Sequence, residues 1–540
     1  MRHSAIARLA RGTIPGLLAT AVLYAGVHWG TTVAGGADPY GYLTEAGLLA
    51  QGRLTVHQPV ILQSPWPGPN GTWAPIGYTE RARQRDAIAP VYAPGLPLLM
   101  AILQALFGYC AAFWVVPICG AAAVWLTYAL GRQLFGRPGI ALWGALLVST
   151  SPTFLFQLMN PMSDVPVTAA WALALVLALA EWPLAAGLAA AAAIAIRPNL
   201  VPLALSLVAW TALRDVRSRR TTGSFGTRAF RFALGLAPAV IGIAWLNARI
   251  YGSVLASGYG PLEDLYSWRY VWTNVSQFAS WASQTDTPVV ALAALFFVAP
   301  AAFPAARIAF PRALLGAFTA SVILSYLFYL PFDAWWYLRF LLPMWPIVML
   351  LTAAALEAIV RRWLSRVYRL AIAAAAVALA SHGVITAANR GAFELWSAES
   401  RYIDVARFIG ASTDPAAVFF SWQHTGSIRL YADRLTLHFG RLDRHWLDRA
   451  VDHLQAAGRH PYFVLDGHEI EPFRRRFAAD NRLGALDWDP AAVFEEPYVA
   501  IYDPARRGTE GRLIVIPSSG GRSGRRCVRP PIWPPRLRIR

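Results

Sequence analysis

Residues 183–213 read PLAAGLAAAAAIAIRPNLVPLALSLVAWTAL, a run in which Arg197 is the charged side chain. An apolar run of about 20 residues is long enough to cross the hydrocarbon core of a bilayer as a helix. Similar runs recur along the chain, which is 56% apolar (AVILMFWYC) and 14% charged, with a mean hydropathy of +0.41. A soluble protein cannot bury so large an apolar share in globular cores. The sequence therefore predicts a mainly α-helical, polytopic membrane protein.

The apolar segments predict about eleven transmembrane helices. The first covers residues 12–34, and the others lie near 89–108, 110–131, 138–158, 163–181, 183–213, 230–250, 288–308, 312–332, 338–360 and 369–388. A second version keeps 89–108 at the interface because of its clustered prolines, and 183–213 then crosses twice as two short helices broken at Arg197-Pro198. Both versions predict about the same number of crossings, and we favour the second.

Arginines predict the orientation. They precede the first apolar run and fill two breaks, residues 214–231 and 361–369. Cytoplasmic loops carry such an excess of basic residues. We therefore expect a plasma (inner) membrane protein with a cytoplasmic N-terminus and an extracytoplasmic C-terminal domain. The net charge of +18 does not indicate nucleic-acid binding, since the arginines are not spread like a phosphate-tracking surface.

After residue 388 the pattern changes from long apolar runs to short alternating elements. We expect a transmembrane domain over 1–388 with an extracytoplasmic loop at 35–88, a soluble α/β domain over 389–504 and a disordered basic tail over 505–540. The α/β prediction rests on helical patterns at 399–411, 445–457 and 469–479 and on strand patterns at 417–421, 461–466 and 496–503.

Motifs of several other classes of protein are absent from the sequence. Cys110, Cys119 and Cys527 show no disulfide framework or zinc spacing. Histidines are frequent in the C-terminal domain but form no HExxH motif, so we expect no zinc site: they are His424, His438, His445, His453, His460 and His468. The lack of Walker A, GxGxxG and GxSxG motifs argues against ATP hydrolysis, dinucleotide binding and serine-hydrolase chemistry.

Two acidic residues are candidates for catalysis. Asp38 follows the first apolar run, where a carboxylate can accept a proton as general base. It can equally act as a helix N-cap, because Asp before Pro begins a helix well. Asp164 stands in a polar break at membrane depth, where a carboxylate marks a site or has a partner. The alternative is an N-cap supplied by Ser163 or Asp164, and both alternatives stay open.

Two arginines are candidates for binding an anion. Arg197 has long apolar flanks and requires a phosphate or a carboxylate nearby. The alternative is a structural pair with Asp164. Arg339 lies beside aromatic residues in the stretch 333–340, DAWWYLRF, which also contains Asp333 and Tyr337. It could bind a lipid phosphate bidentately or belong to an ordinary aromatic belt.

In this order, the polar stretches resemble the multi-spanning glycosyltransferases of the GT-C fold. The nearest group is glycosyltransferase family 39, which includes protein O-mannosyltransferases and aminoarabinose transferases. The resemblance covers residues 12–388 and rests on DPYGYLTEAGLLAQGRL (38–54), YAPGLPLL (92–99), GRQLFG (131–136), SDVP (163–166), RPN (197–199) and YLRFLLP (337–343).

The resemblance implies an inverting transferase that moves a sugar from a polyprenyl-phosphate-linked donor to a lipid, glycan or protein acceptor. By position it implies that Asp38 is the general base and Asp164 the second acid. Its substrate-binding candidates are Tyr40, Tyr42, Tyr92, Arg197, Asp333, Tyr337 and Arg339. The sequence departs from the family's frequent Asp-Glu pair, since Pro39 follows Asp38, so a divalent metal and the acceptor class stay open. A transporter of lipid-linked sugars and a non-catalytic scaffold are the alternative functions.

Overall fold

The computed structural model describes residues 2–82, 84–222, 227–299, 309–364, 366–509, 513–517 and 527–531. In chain order the helices are α1 (Arg2–Trp29), α2 (Asp38–Leu49), α3 (Pro69–Trp73), α4 (Gly95–Phe107), α5 (Val115–Phe135), α6 (Pro138–Thr150), α7 (Pro152–Leu158), α8 (Asp164–Leu179), α9 (Pro183–Ile196), α10 (Val201–Thr222), α11 (Thr227–Ile250), α12 (Leu262–Leu265), α13 (Val271–Asp286), α14 (Leu295–Val298), α15 (Ala309–Leu327), α16 (Trp345–Trp363), α17 (Tyr368–Asn389), α18 (Leu395–Glu399), α19 (Arg401–Ser412), α20 (Thr425–Ser427), α21 (Leu447–Ala456) and α22 (Gly467–Phe477). The strands are β1 (Val56–His57), β2 (Tyr78–Arg81), β3 (Gln84–Pro90), β4 (Val418–Ser421), β5 (Leu435–His438), β6 (Pro461–Asp466), β7 (Ala492–Phe494), β8 (Val499–Tyr502) and β9 (Ile514–Ile516).

The chain divides into two compact units that differ from the predicted domains. The helical unit comprises Met1–Gly30, Phe113–Trp245 and Gly260–Glu394. The sheet-bearing unit comprises Thr31–Ala112, Leu246–Tyr259 and Leu395–Arg540. The loop at 35–88, which we assigned to the transmembrane domain, thus belongs to the same unit as the C-terminal α/β domain. The later boundary falls at residue 394 rather than 388.

The helical unit is built on α5 and α8. Helix α5 packs against α1, α6 and α8, and α8 packs against α9, with Trp171 of α8 fully buried against Phe318. Helices long and apolar enough to cross a membrane are Tyr109–Phe135, Thr227–Ile250, Trp335–Trp363 and Tyr368–Asn389 among the described residues. The pair α6 and α7, bent by 59°, adds a fifth, and several shorter apolar helices accompany them. The figure of about eleven spans stays a prediction.

The predicted break at Arg197-Pro198 is confirmed. Helix α9 ends at Ile196, Arg197 is extended (φ −141°, ψ 91°), and a short 3-10 turn at Pro198–Leu200 precedes α10. Proline disfavours the helical conformation in the residue before it and lacks a backbone N–H. This local rule turns one apolar run into two helices, with Arg197 at the junction.

The sheet-bearing unit contains two sheets. Residues 56–90 form a small sheet in the order β1-β3-β2, and the C-terminal domain forms a mixed sheet in the order β5-β4-β6-β8-β7-β9. The expected α/β alternation is present, with β4, β6 and β8 at the predicted strand patterns. Strands β5 and β7, which are four and three residues long, were not predicted.

Two expectations about the end of the chain were wrong. Residues 514–516 form β9, which pairs in parallel with β7, although we expected disorder from residue 505; β7 offers the edge that orders them. Cys110 and Cys527 form a disulfide, although their separation of 417 residues shows no recognisable spacing. Other parts of the predicted tail, 510–512, 518–526 and 532–540, lie outside the described residues.

The disulfide leads to a thiol count that can be measured. The chain has three cysteines, of which Cys119 is free. Denatured, unreduced protein should therefore add one maleimide-polyethylene glycol, and reduced protein three. Replacing Cys527 by Ser should raise the unreduced count by exposing the Cys110 thiol. Labelling of all three cysteines without reductant, in protein isolated from an oxidising compartment, would contradict the pairing.

Candidate functional site

In the sheet-bearing unit, Asp38 is the first residue of α2. The N-cap residue is Ala37, and no side-chain capping bond forms there. The half-buried carboxylate instead accepts a hydrogen bond at Oδ1 from the Tyr92 hydroxyl, 2.8 Å away. The N-cap alternative for this side chain stays open. The carboxylate is directed by a tertiary contact.

The expected substrate-binding tyrosines Tyr40, Tyr42 and Tyr92 are buried in this unit. Tyr42 packs against Tyr92 with ring centroids 4.4 Å apart, and Tyr40 packs against Tyr78 at 5.8 Å. Burial raises the pKa of Tyr92 well above its usual value, and the nearby Asp38 carboxylate raises it further. Burial also raises the pKa of Tyr40 to about 12, with Arg429 acting in the opposite direction. Tyr92 thus stays protonated and donates to Asp38 throughout the physiological range.

In the helical unit, Asp164 and Arg197 form a buried ion pair. Arg197 Nη2 lies 2.7 Å from Asp164 Oδ1, and Arg197 Nε donates to Ser163 Oγ over 3.1 Å. Ser163 is the N-cap of α8 but makes no side-chain capping bond. The structural pairing of Arg197 with Asp164 is confirmed. Because Arg197 is at a helix break, its side chain can reach the beginning of α8.

Arg339 joins this pair from the 3-10 turn at Trp335–Met344. Its Nη1 lies 3.9 Å from Asp164 Oδ2 and donates to Met162 Sδ over 3.1 Å. The guanidinium carbon is 4.9 Å from the Tyr337 ring centroid and 5.4 Å from that of Phe340. Arg197 lies over the same Phe340 ring at 5.6 Å. One aromatic ring therefore holds both guanidinium groups by cation–π contacts.

The charges of this Asp164/Arg197/Arg339 cluster are largely shielded from solvent. The side chains are 1%, 13% and 11% exposed, respectively. Arginine does not lose its proton in proteins, and its planar fork fits the oxygens of a phosphate or carboxylate. Two such forks beside one carboxylate can bind a phosphate oxygen and stabilise negative charge that develops on it.

Asp333 is not part of the cluster. It is exposed, and Arg339 pairs with Asp164 instead. The reason is that Asp333 precedes the 3-10 turn. Adjacency in sequence did not bring the two side chains together.

The sequence analysis also missed several residues that support the cluster. Tyr326 accepts a hydrogen bond from Arg197 Nη1 over 3.4 Å and stacks on Phe340 at 4.7 Å. Phe340 and Met162 lay beside motif residues and could have been included as their neighbours. Tyr326 lies near the end of α15, in an apolar segment without a distinguishing pattern, so nothing in the sequence marked it.

The described residues offer one potential metal-ligand group, Asp466, His468 and Glu469. Both Glu469 oxygens already accept backbone N–H groups, from Gln423 and from Asp466, and Asp466 bonds to His424 over 3.0 Å. These contacts give Asp466 and Glu469 a structural role in the C-terminal domain.

The fold is that of solved membrane transferases. Two crystal structures of ArnT from Cupriavidus metallidurans, bound to undecaprenyl phosphate and in the apo state, match with TM-scores of 0.53 and 0.54 at 12% identity. These matches cover 86% and 87% of this chain and 94% and 95% of theirs. The oligosaccharyltransferase AglB from Archaeoglobus fulgidus, in complex with an inhibitory peptide and a dolichol-phosphate, matches with a TM-score of 0.50 at 14% identity, covering 92% of this chain and 74% of its own. No family model and no curated protein matched the sequence. The chain therefore has the GT-C fold of multi-spanning glycosyltransferases.

Proposed function

We propose that this protein is an integral membrane glycosyltransferase that moves a sugar from a polyprenyl-phosphate-linked donor to an extracytoplasmic acceptor, with inversion at the anomeric carbon. The observation that carries the proposal is the Asp164/Arg197/Arg339 cluster, on a fold shared with an ArnT structure that is bound to undecaprenyl phosphate. The half-buried Asp38, which accepts a hydrogen bond from the Tyr92 hydroxyl, is the proposed general base.

In the proposed reaction, an acceptor hydroxyl or amine attacks the anomeric carbon. Its proton passes to the Asp38 carboxylate as the new bond to the sugar forms. The bond between the anomeric carbon and the donor phosphate oxygen breaks, and polyprenyl phosphate leaves with the electron pair. Arg197 and Arg339 stabilise the charge on the departing phosphate, while Asp164 holds the two guanidinium groups in place. A single displacement of this kind inverts the anomeric centre.

Two observations support an extracytoplasmic location for the sheet-bearing unit. Disulfides persist in oxidising compartments such as the bacterial periplasm, and Cys110 and Cys527 belong to this unit. Basic residues also end α16, where Arg361 and Arg362 occupy the last turn. Such an excess of basic residues is typical of the cytoplasmic ends of membrane helices. We therefore propose a multi-pass inner-membrane protein with its N-terminus in the cytoplasm.

The proposal assigns no reaction step to a metal ion. A hydrogen-bonded carboxylate and two guanidinium groups supply the base and the electrostatic stabilisation. The acceptor is proposed only by class, as a lipid, glycan or protein that presents a hydroxyl or an amine on the extracytoplasmic side.

The proposal is tested with the purified full chain in lipid nanodiscs. A panel of polyprenyl-phosphate sugars, radiolabelled in the sugar, is incubated with a membrane extract as the source of acceptors. We expect release of free polyprenyl phosphate and transfer of the label to one acceptor fraction. The same protein is also placed in proteoliposomes, where movement of intact donor across the bilayer without cleavage would replace this function by transport. Neither release nor movement with the whole panel would favour a scaffold.

A further inference from the structure

We propose that Tyr431 and Tyr402 of the C-terminal domain are positioning residues for Asp38: they hold the segment Ala34–Ala37, from which α2 and its first carboxylate begin. This inference rests on the proposed function, since it assigns the C-terminal domain a part in setting the base. It rests on contacts within the sheet-bearing unit.

The first contact fixes the backbone four residues before Asp38. The Ala34 N–H donates to the Tyr431 hydroxyl over 2.9 Å, and both residues are buried. An unsatisfied buried N–H group is unfavourable, so this bond is favoured over its rupture. Tyr431 lies 397 residues further along the chain, which makes the bond a tertiary constraint on the segment.

The second contact fixes Gly35 and Gly36. A Cβ atom on Gly35 would lie 2.1 Å from Tyr402 Cδ2, so this close approach admits only glycine there. Gly36 has a φ of +59°, a conformation that also favours glycine. The backbone therefore turns in direct contact with the Tyr402 ring, which restricts where the segment can lie.

The Tyr402 ring is itself held by a network of partly buried charged residues. Arg401 lies over the Tyr402 ring at 4.3 Å and donates to its hydroxyl over 2.9 Å. Arg401 is also 3.9 Å from Glu399 and 3.8 Å from Asp466. Asp466 in turn bonds to the fully buried His424. A ring constrained from so many directions cannot move away from Gly35 at low cost.

The same domain also holds a second segment that contacts the residue before Asp38. The Ile76 N–H donates to Thr425 Oγ1 over 2.9 Å. Next to it, Gly77 has a φ of +85° and approaches Ala37 so closely that an added Cβ would lie 2.7 Å from the Ala37 carbonyl oxygen. The residue before Asp38 is thus confined between the Gly77 backbone and a segment held by Tyr402 and Tyr431.

These constraints give the C-terminal domain a function in positioning Asp38, and this function requires no contact with the acceptor. A misplacement of about 1 Å at a reacting group can lower the rate about 10²-fold. Loosening the Ala34–Ala37 segment should therefore lower kcat while leaving the KM for the donor unchanged, because the donor's proposed phosphate contacts come from other residues.

The test compares Tyr431→Phe with Tyr462→Phe in the full chain. Tyr462 is a matched control: it lies in the same domain and stacks on Phe419 of the sheet at 5.2 Å, away from the Asp38 loop. We expect Tyr431→Phe to lower kcat about 10-fold with an unchanged KM. We expect Tyr462→Phe to leave both kcat and KM unchanged. Hydrogen exchange of residues 31–42 should become about 10-fold faster in Tyr431→Phe alone, and this readout does not depend on activity.

A second pair of variants tests the Gly35 contact by steric compensation. Gly35→Ala should lower kcat because the new methyl group meets Tyr402, and adding Tyr402→Ala should recover part of the loss by removing the ring. Unchanged exchange in Tyr431→Phe, or a double variant no better than the product of the two single effects, would overturn the inference. If the wild type shows no transfer but Tyr431→Phe still speeds hydrogen exchange of residues 31–42, the positioning contact holds and the proposed function is overturned instead.

Discussion

Asp38→Asn should lower kcat for sugar transfer by about 10²–10⁴-fold, the usual contribution of a general base. The amide cannot accept the acceptor's proton, yet its oxygen can still accept the hydrogen bond that Tyr92 donates to Asp38. The segment should thus keep its conformation, and the KM for the donor should change little. Single-turnover measurement of polyprenyl phosphate release separates this loss of chemistry from a loss of binding.

Asp86→Asn is the matched control for this variant. Asp86 is an acid of the same predicted loop, pairs with His57 at 3.1 Å and is partly exposed. We expect it to retain transfer. Full activity in Asp38→Asn, in protein that elutes and melts like the wild type, would rule out Asp38 as the base and leave it with a structural role.

The second large effect is expected when Arg339, proposed to bind the donor phosphate, is replaced. Arg339→Gln should lower kcat/KM by about 10- to 10²-fold, because a hydrogen bond to a charged group contributes about 1.5–3 kcal/mol. Polyprenyl phosphate should also become a weaker product inhibitor. Arg339→Lys should recover only part of the loss, since a point charge cannot replace a planar fork. Steady-state kinetics with added polyprenyl phosphate measures both quantities.

Arg339 is a cleaner probe than Arg197. Arg197 lies 2.7 Å from the buried Asp164 carboxylate, and removing one partner of a buried pair costs about 3–5 kcal/mol of stability. Arg339 is 3.9 Å from the same carboxylate, so its loss disturbs the fold less. Arg137→Gln, which removes a partly exposed pair with Glu357, controls for the loss of a positive charge. Unchanged product inhibition in Arg339→Gln would separate this residue from the phosphate.

Local rules predicted much of the helical unit. Apolar runs marked its segments, and Pro198 marked the break at which Arg197 stands. Such features depend on a few neighbouring residues. The division into units depends on contacts between distant segments, as in the bond from Ala34 to Tyr431, so periodicity could not indicate it. The disulfide between Cys110 and Cys527 escaped prediction for the same reason.

The candidate site was predicted in part. The motifs identified Asp38, Asp164, Arg197 and Arg339, and the structure joins the last three into one cluster. The pairing of Arg339 with Asp164 was not predicted, because the two residues are far apart in the sequence. The tyrosines near Asp38 were identified, but their burial and their supporting contacts depend on packing that the motifs do not encode.

The wide sequence separation between Asp38 and the residues that hold it also has a consequence for biogenesis. A chain emerges from the ribosome N-terminal end first, so the Asp38 loop is synthesised long before Tyr402 and Tyr431, and Cys527 comes later still. Contacts that span about 400 residues cannot form before the later partner has been synthesised. They then form slowly, because closing so long a loop costs conformational entropy. A nascent chain would therefore hold the Asp38 segment loosely until the C-terminal domain has been synthesised and has folded. On the proposed function, a partly synthesised chain would thus already contain Arg197 and Arg339, the proposed phosphate-binding residues, before it could transfer a sugar.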